Sequence, residues 1–338
     1  MQKRTIRDKL YEKRKTNNPK IYGKGNRMFL TGFADEASHD LGMQIKATKE
    51  LGWKFIETRF IGEQFFGNIS DADFEKCCAM LEESGVRFNC YGSGVANWNQ
   101  APRSEEDYRK TKAELLRAIP RMKRLGIEML RGMSFKVTGD EQFDSPELEA
   151  IIFRKVNELV KICEDNDIIY GHENCMNYGG QSHIHTLRLL DHVKSPNFKL
   201  IFDTGNPCFN FRKIGNPPYP LQSAREFYEN VREFVCYVHI KDAVSTVEPD
   251  GTVKTTYTYA GEGNGDVRWI VTDLLKRGYD GGFSMEPHVA VVFHDKENSE
   301  DAALLAKKKY DTYVEYGRRF EKLLAECKAA AAAEMKKN

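Results

Sequence analysis

The stretch IIYGHEN at residues 168–174 reads as a short buried strand that stops on a potential metal ligand, Glu173. Three further segments repeat the design: KLIFDTGN at 199–206 brings Asp203, CYVHIKD at 236–242 brings His239, and GFSMEPH at 282–288 brings Glu286. Apolar, β-branched and aromatic runs of this length suit strands covered on both faces. In a strand that lines a barrel, alternate side chains point into the lumen, so a ligand at the last position projects toward the axis. Four successive strands can therefore converge on one ion. Three carboxylates and one imidazole form a hard, oxygen-rich donor set for a single divalent cation, suited to Mn, with Co or Mg as alternatives, rather than to structural Zn. A lone Glu at a strand end reads more readily as a surface or capping group; the set of four, in the order Glu, Asp, His, Glu, points to a metal.

Strand candidates recur along the whole chain: MFLTGFA, KFIETRF, VRFNCYGS and IEMLRGM precede IIYGHE, KLIFD, CYVHI and GFSMEP. Helical periodicity fills the intervals near 40–51, 71–84, 105–125, 147–166, 182–193, 223–233, 267–277 and 299–327. Start signals such as Ser70-Asp71-Ala72-Asp73 and Ser145-Pro146-Glu147, and stop signals at Gly52, Gly85, Gly126 and Gly278, make the αβ turns short. Eight strands alternating with helices predict an α/β chain forming a single (β/α)8 TIM barrel. The barrel is expected over 28–327, with a basic N-terminal arm at 1–27 and a C-terminal helical extension whose last residues, 328–338, fray.

Composition narrows the function. The 338 residues are 41% hydrophobic and carry a formal charge of +1, so a large core is affordable and no nucleic-acid partner is announced. MQKRTIRDKL lacks a signal-type apolar stretch and no apolar run approaches a membrane span, so a cytoplasmic protein with no membrane partner is expected. The eight Cys include no CxxC pair, which argues against a disulfide framework or zinc knuckle.

The connections after Asp203 and His239 are long and rich in Gly, Pro and aromatics, as expected on a functional face. VEPDGTVKTTY reads as a hairpin turning at Pro249-Asp250-Gly251, either a lid over the mouth or a solvent-facing decoration. Trp98, Phe209, Phe211, Tyr219 and Tyr257 fall on these loops, where they either stack on substrate or pack the loop. Glu57 and Arg59 end the second strand and are expected to meet the substrate or each other. His172, Asn174, Lys241, Asp242 and His288 adjoin the ligands, as tuning groups or as strand-end hydrogen bonds. His183 and His185, two apart at a helix start, face different directions and suit a local hydrogen bond better than a shared ion.

GFADEAS at 32–38, FIETR at 55–59, HEN at 172–174, FDTGNP at 202–207, HIKD at 239–242, GEG at 261–263 and YDGGFSMEPH at 279–288 together resemble the xylose-isomerase-like TIM-barrel family of sugar isomerases and epimerases, over roughly residues 28–325. The resemblance implies a divalent cation held by Glu173, Asp203, His239 and Glu286, with Glu173 and Glu286 also acting as acid and base on opposite faces of a sugar. His288 is the expected further catalytic group, and Glu57, Arg59, Asn206 and Lys241 are the expected substrate contacts. The implied reaction is metal-dependent proton abstraction and enolisation of a sugar or keto-sugar, in a protein expected to be oligomeric. The alternative is a lyase that cleaves a 3-keto C-glycoside through the same enolisation, as in barrel subunits of C-glycoside deglycosidases, which work with a smaller partner subunit. Apurinic endonucleases share the fold but carry a histidine where this chain has Asn206.

Overall fold

The computed structural model describes residues 28–137, 144–290 and 302–336, so the basic arm expected at 1–27 lies outside the described residues. Eight parallel strands form the barrel: β1 (Phe29–Gly32), β2 (Phe55–Thr58), β3 (Arg87–Gly92), β4 (Met129–Gly132), β5 (Ile169–Glu173), β6 (Phe198–Asp203), β7 (Val235–Ile240) and β8 (Gly282–Met285). Their ladders run β1-β8-β7-β6-β5-β4-β3-β2 around the sheet, and β2 packs beside β1 to complete the circle. Between strands lie α1 (Leu41–Glu50), α2 (Asp71–Ser84), α3 (Glu105–Leu125), α4 (Pro146–Glu164), α5 (His183–His192), α6 (Ala224–Val231) and α7 (Val267–Lys276); α8 (Ala302–Met335) follows β8. This is the expected (β/α)8 barrel.

Local chemistry sets the helix limits. The Ser70 and Ser104 hydroxyls accept from the backbone N–H of Asp73 and Asp107, satisfying donors that the first turns of α2 and α3 leave open. Gly85 and Gly126 then end those helices at φ of 72° and 69°, a left-handed conformation that glycine adopts without a Cβ penalty.

Two layers of core result. The larger lies between strands and helices, and the smaller fills the lumen below the mouth with Cys90, Met129, Ile201, Cys236 and Tyr237. After β7 comes an antiparallel hairpin, Asp242–Val247 paired with Val253–Thr258, whose turn holds Gly251 at φ 84°. That hairpin and its turn are as expected from Pro249-Asp250-Gly251.

The C-terminal end differs from expectation. Instead of fraying after residue 327, α8 continues to Met335. Phe320, Leu324, Cys327 and Ala331 extend one buried stripe at spacings of three and four, and Lys276 of α7 pairs with Glu334 at 2.5 Å. Packing against α7 holds a segment whose composition alone offers little to bury. No described helix is long and apolar enough to cross a membrane.

Candidate metal centre

Glu173 and Asp203 are the last residues of β5 and β6, His239 lies one short of the end of β7, and Glu286 follows β8 directly. All four are buried, and one ligand atom from each lies within 4.8 Å of the others. His239 Nδ1 stands 3.2 Å from Glu173 Oε1 and 4.0 Å from Asp203 Oδ2. Glu173 Oε2 and Asp203 Oδ2 make no hydrogen bond; the Arg131 guanidinium and the Lys241 ammonium are 3.4 Å and 3.2 Å from them. Buried carboxylate oxygens left this way cost free energy that a cation would recover. The donor chemistry and the spare oxygens thus fit a divalent ion.

The remaining lone pairs hold the ligands in place. Asp203 Oδ1 accepts from the backbone N–H of Gly205 at 2.8 Å and of Asn206 at 2.6 Å, and the Asn206 amide donates to Glu173 Oε1 at 3.1 Å. Asn174 exchanges two hydrogen bonds with the Asp203 backbone, at 2.7 and 2.9 Å, tying the ends of β5 and β6 together. Fixed neighbours of this kind orient metal ligands.

Cations from other strands balance the acids. Lys241 Nζ reaches Glu286 Oε2 at 2.6 Å, and Arg59 Nη1 reaches Glu286 Oε1 at 2.9 Å. Arg59 Nε also donates to Asp35 at 2.7 Å, while His288 Nδ1 lies 2.9 Å from Glu36 and its Nε2 3.6 Å from Glu286. His288 has φ 53°, a left-handed backbone that is uncommon for a residue with a Cβ and typical of over-determined sites.

Burial would raise the carboxyl pKa values, but nearby cations oppose it unevenly. For Glu173 the Arg131 and His239 charges win and bring it down to about 2. Asp203, buried and facing Glu173 and Glu286, is pushed up to about 6 despite Lys241. Glu286 is held well below the usual carboxylate range against its burial by Lys241, His288 and Arg59. Burial disfavours the His239 imidazolium, yet Glu57 and Glu173 outweigh it and lift the ring to about 10. Without an ion, then, His239 supplies part of the positive charge that the acids require.

Several residues singled out from the sequence have other placements. Glu57 and Arg59 do not pair: Arg59 serves Asp35 and Glu286, whereas Glu57 is fully buried against His239 Nε2 at 3.2 Å. His172 points away from its neighbour Glu173, toward the Ser134 hydroxyl at 3.0 Å. Asp242 accepts from the backbone N–H of Gly261, Gly263 and Gly265 at 2.8–3.0 Å and so ties down the GEGNG loop. His185 meets Ser182 at 2.8 Å, the helix-start contact expected for it. Tyr257 packs edge-on to His288 with centroids 5.0 Å apart, and Phe209 adjoins Tyr257 at 6.0 Å, whereas Trp98 is 37% exposed on its loop.

Phe33, Asp35, Glu36 and Arg131 complete the mouth although the sequence assigned none of them a role, the first three appearing there only within the GFADEAS motif. Arg131 carried a signal, being a charge inside the apolar strand IEMLRGM, two residues from the inward Met129. Asp35 and Glu36 sit in a 3-10 turn after β1, and their meaning depends on Arg59 and His288 arriving from elsewhere.

Solved structures share the architecture. A xylose isomerase-like TIM barrel protein from Mycobacterium smegmatis in complex with magnesium aligns at 18% identity and a TM-score of 0.59, covering 89% of this chain and 98% of the other. The D-allulose 3-epimerase from Methylomonas sp., in complex with D-allulose, aligns at 20% identity and a TM-score of 0.57, with 85% and 96% covered. The IOLI protein with a bound zinc atom aligns at 13% identity and a TM-score of 0.64, with 88% and 99% covered. At these identities the likeness is one of fold. No curated protein matches the sequence significantly. A sequence profile does match most of the chain, residues 45–309, and by it the protein belongs to the xylose isomerase-like TIM barrel family.

Proposed function

We propose that the protein is a divalent-metal-dependent enzyme of the sugar isomerase or epimerase type, which removes a proton from the carbon beside a sugar carbonyl. The carrying observation is the placement of Glu173 and Glu286 at the two ends of a four-strand arc, with Asp203 and His239 between them. Two ionised carboxylates on either side of one ion are what abstraction on one face and return on the other require. A bound cation, Mn in this reading, would polarise the substrate carbonyl and its neighbouring hydroxyl.

The protein's own groups supply the rest. Glu173, held ionised by Arg131 and His239, accepts or returns a proton on its side. Glu286 does so on the other, where His288, 3.6 Å away, can carry the proton onward. Lys241 and Asn206 border the two glutamates and, with Arg59, are positioned to receive sugar oxygens. Tyr257 and Phe209 offer ring faces beside His288 for the C–H surface of the substrate. A magnesium-bound relative and an epimerase bound to D-allulose on the same fold support this reading.

The test is deuterium exchange followed by NMR, with Mn-loaded protein and a panel of ketoses in D₂O. Wild type should exchange one defined C–H position, and Glu173→Gln and Glu286→Gln should each lower that rate at least about 10²-fold, the scale of lost general acid–base catalysis. Exchange at the wild-type rate in both variants would place the acid and base elsewhere. Release of an aglycone from a 3-keto C-glycoside, with free sugars untouched, would make the enzyme a lyase.

A further inference from the structure

Glu57 stands outside the ligand arc, on β2, and is fully buried. Its carboxylate Oε1 lies 3.2 Å from His239 Nε2, with the Ser284 hydroxyl and the Cys90 thiol also beside the group. The other ring nitrogen, Nδ1, turns toward Glu173 Oε1 at 3.2 Å and Asp203 Oδ2 at 4.0 Å. The imidazole therefore presents one nitrogen to the other donors of the cluster and the opposite one to Glu57.

The backbone is built to produce that contact. Along the β2–β3 ladder Ile56 pairs with Phe88, but Glu57 pairs with Cys90, so Asn89 is an extra residue on β3. Bulges of this kind re-aim side chains near functional sites. This one is pinned from inside, since Asn89 accepts from the Thr31 hydroxyl at 2.8 Å and donates to the Tyr237 hydroxyl at 2.9 Å. The His239 ring is then clamped edge-on by Phe33 at 5.1 Å and by Tyr237 at 5.8 Å.

We infer that Glu57 is a positioning residue for the cation, not a ligand and not a sugar contact: by accepting a hydrogen bond from Nε2–H it fixes the His239 tautomer and leaves the Nδ1 lone pair directed at the ion. This rests on the cation reading proposed above. A carboxylate behind a ligating imidazole both orients the ring and raises its donor strength, and its loss typically weakens metal affinity about 10- to 100-fold.

The test has two readouts besides activity. In zinc-loaded wild type labelled with ¹⁵N-histidine, His239 should show the proton on Nε2 and the metal on Nδ1; metal on Nε2 overturns the inference without any variant. In Mn titrations by calorimetry, Glu57→Ala should weaken binding about 10- to 100-fold. Glu57→Gln, which keeps an oxygen acceptor, should retain the tautomer and recover most of that loss. Unchanged affinity in a folded Glu57→Ala, or no rescue by Gln, overturns the inference alone. A wild type that binds no divalent cation overturns the cation reading along with it.

Discussion

On the β5–β8 side of the mouth, buried carboxylate oxygens of Glu173 and Asp203 are left without hydrogen bonds. The β1–β4 side also leaves Asp35 Oδ1, Glu36 Oε1 and Glu57 Oε2 without hydrogen bonds, but it brings two guanidiniums against the acids. There, Arg59 spans Asp35 and Glu286, Arg131 donates to the Ser93 carbonyl at 3.0 Å beside Glu173, and both guanidiniums lie against the Phe33 ring, at 4.5 and 5.3 Å. One half carries the cluster suited to a divalent cation, and the other sets guanidinium charge against the acids. Four buried acids, Glu57, Glu173, Asp203 and Glu286, would be untenable together without cationic partners from both halves, Arg59 and Arg131 on one and His239 and Lys241 on the other, because burying each unpaired charge costs several kcal/mol.

Breaking the ligand half should have the larger functional effect. His239→Ala removes the single nitrogen donor while leaving the packed lumen layer beneath it intact. The variant is expected to fold with wild-type circular dichroism yet lose most of its bound metal, by at least about 10²-fold in affinity, in metal analysis after gel filtration. Full metal occupancy would remove His239 from the site.

Breaking the other half should read out as stability instead. Arg131→Met keeps the unbranched apolar stem of the side chain but removes the guanidinium facing Glu173, leaving that buried carboxylate with His239 as its remaining cationic neighbour. Such a loss costs about 3–5 kcal/mol. Part should return when Mn is added, because the ion supplies positive charge to the same carboxylate. Denaturant titration with and without Mn measures both, and a variant as stable as wild type in the absence of metal would show that Arg131 does not balance Glu173.

The two halves also differ in how far the sequence revealed them. Glu173, Asp203, His239 and Glu286 were legible because each closes an apolar run, and the alternation of a strand fixes where a terminal side chain points. Helices α2 and α3 were legible to the residue because Ser70, Ser104, Gly85 and Gly126 have local hydrogen-bonding or conformational roles. Glu57 and Arg59 were seen, but their partners were not: His239 is 182 residues from Glu57 and Glu286 is 227 from Arg59, so only closure of the barrel brings them together. The bulge at Asn89 has no local signature either. The helical tail was the opposite case, for Ala331 continues the spacing of Phe320, Leu324 and Cys327, a phase present in the sequence beneath a composition that suggested fraying.

The smallest expected effect sharpens the contrast within a single strand. His172 and Glu173 are adjacent on β5, yet Glu173 faces the ion site and His172 faces the helix layer, where burial depresses its pKa from 6.5 to about 4 against the pull of Glu173. The folded protein therefore keeps this ring neutral in a range where the unfolded chain protonates it. Above pH 6.5 both states hold the ring neutral and its contribution is fully present; as pH falls toward 4 the unfolded state gains a proton that the folded state refuses, and stability is lost. His172→Gln keeps a polar partner for Ser134 but cannot titrate. The stability advantage of wild type over this variant should accordingly shrink by roughly 2 kcal/mol between pH 8 and pH 5, read from paired urea titrations. A difference that stays flat across that interval would mean that His172 is solvated enough to protonate in place, and that the helix-facing side of β5 is less sealed than its ion-facing side.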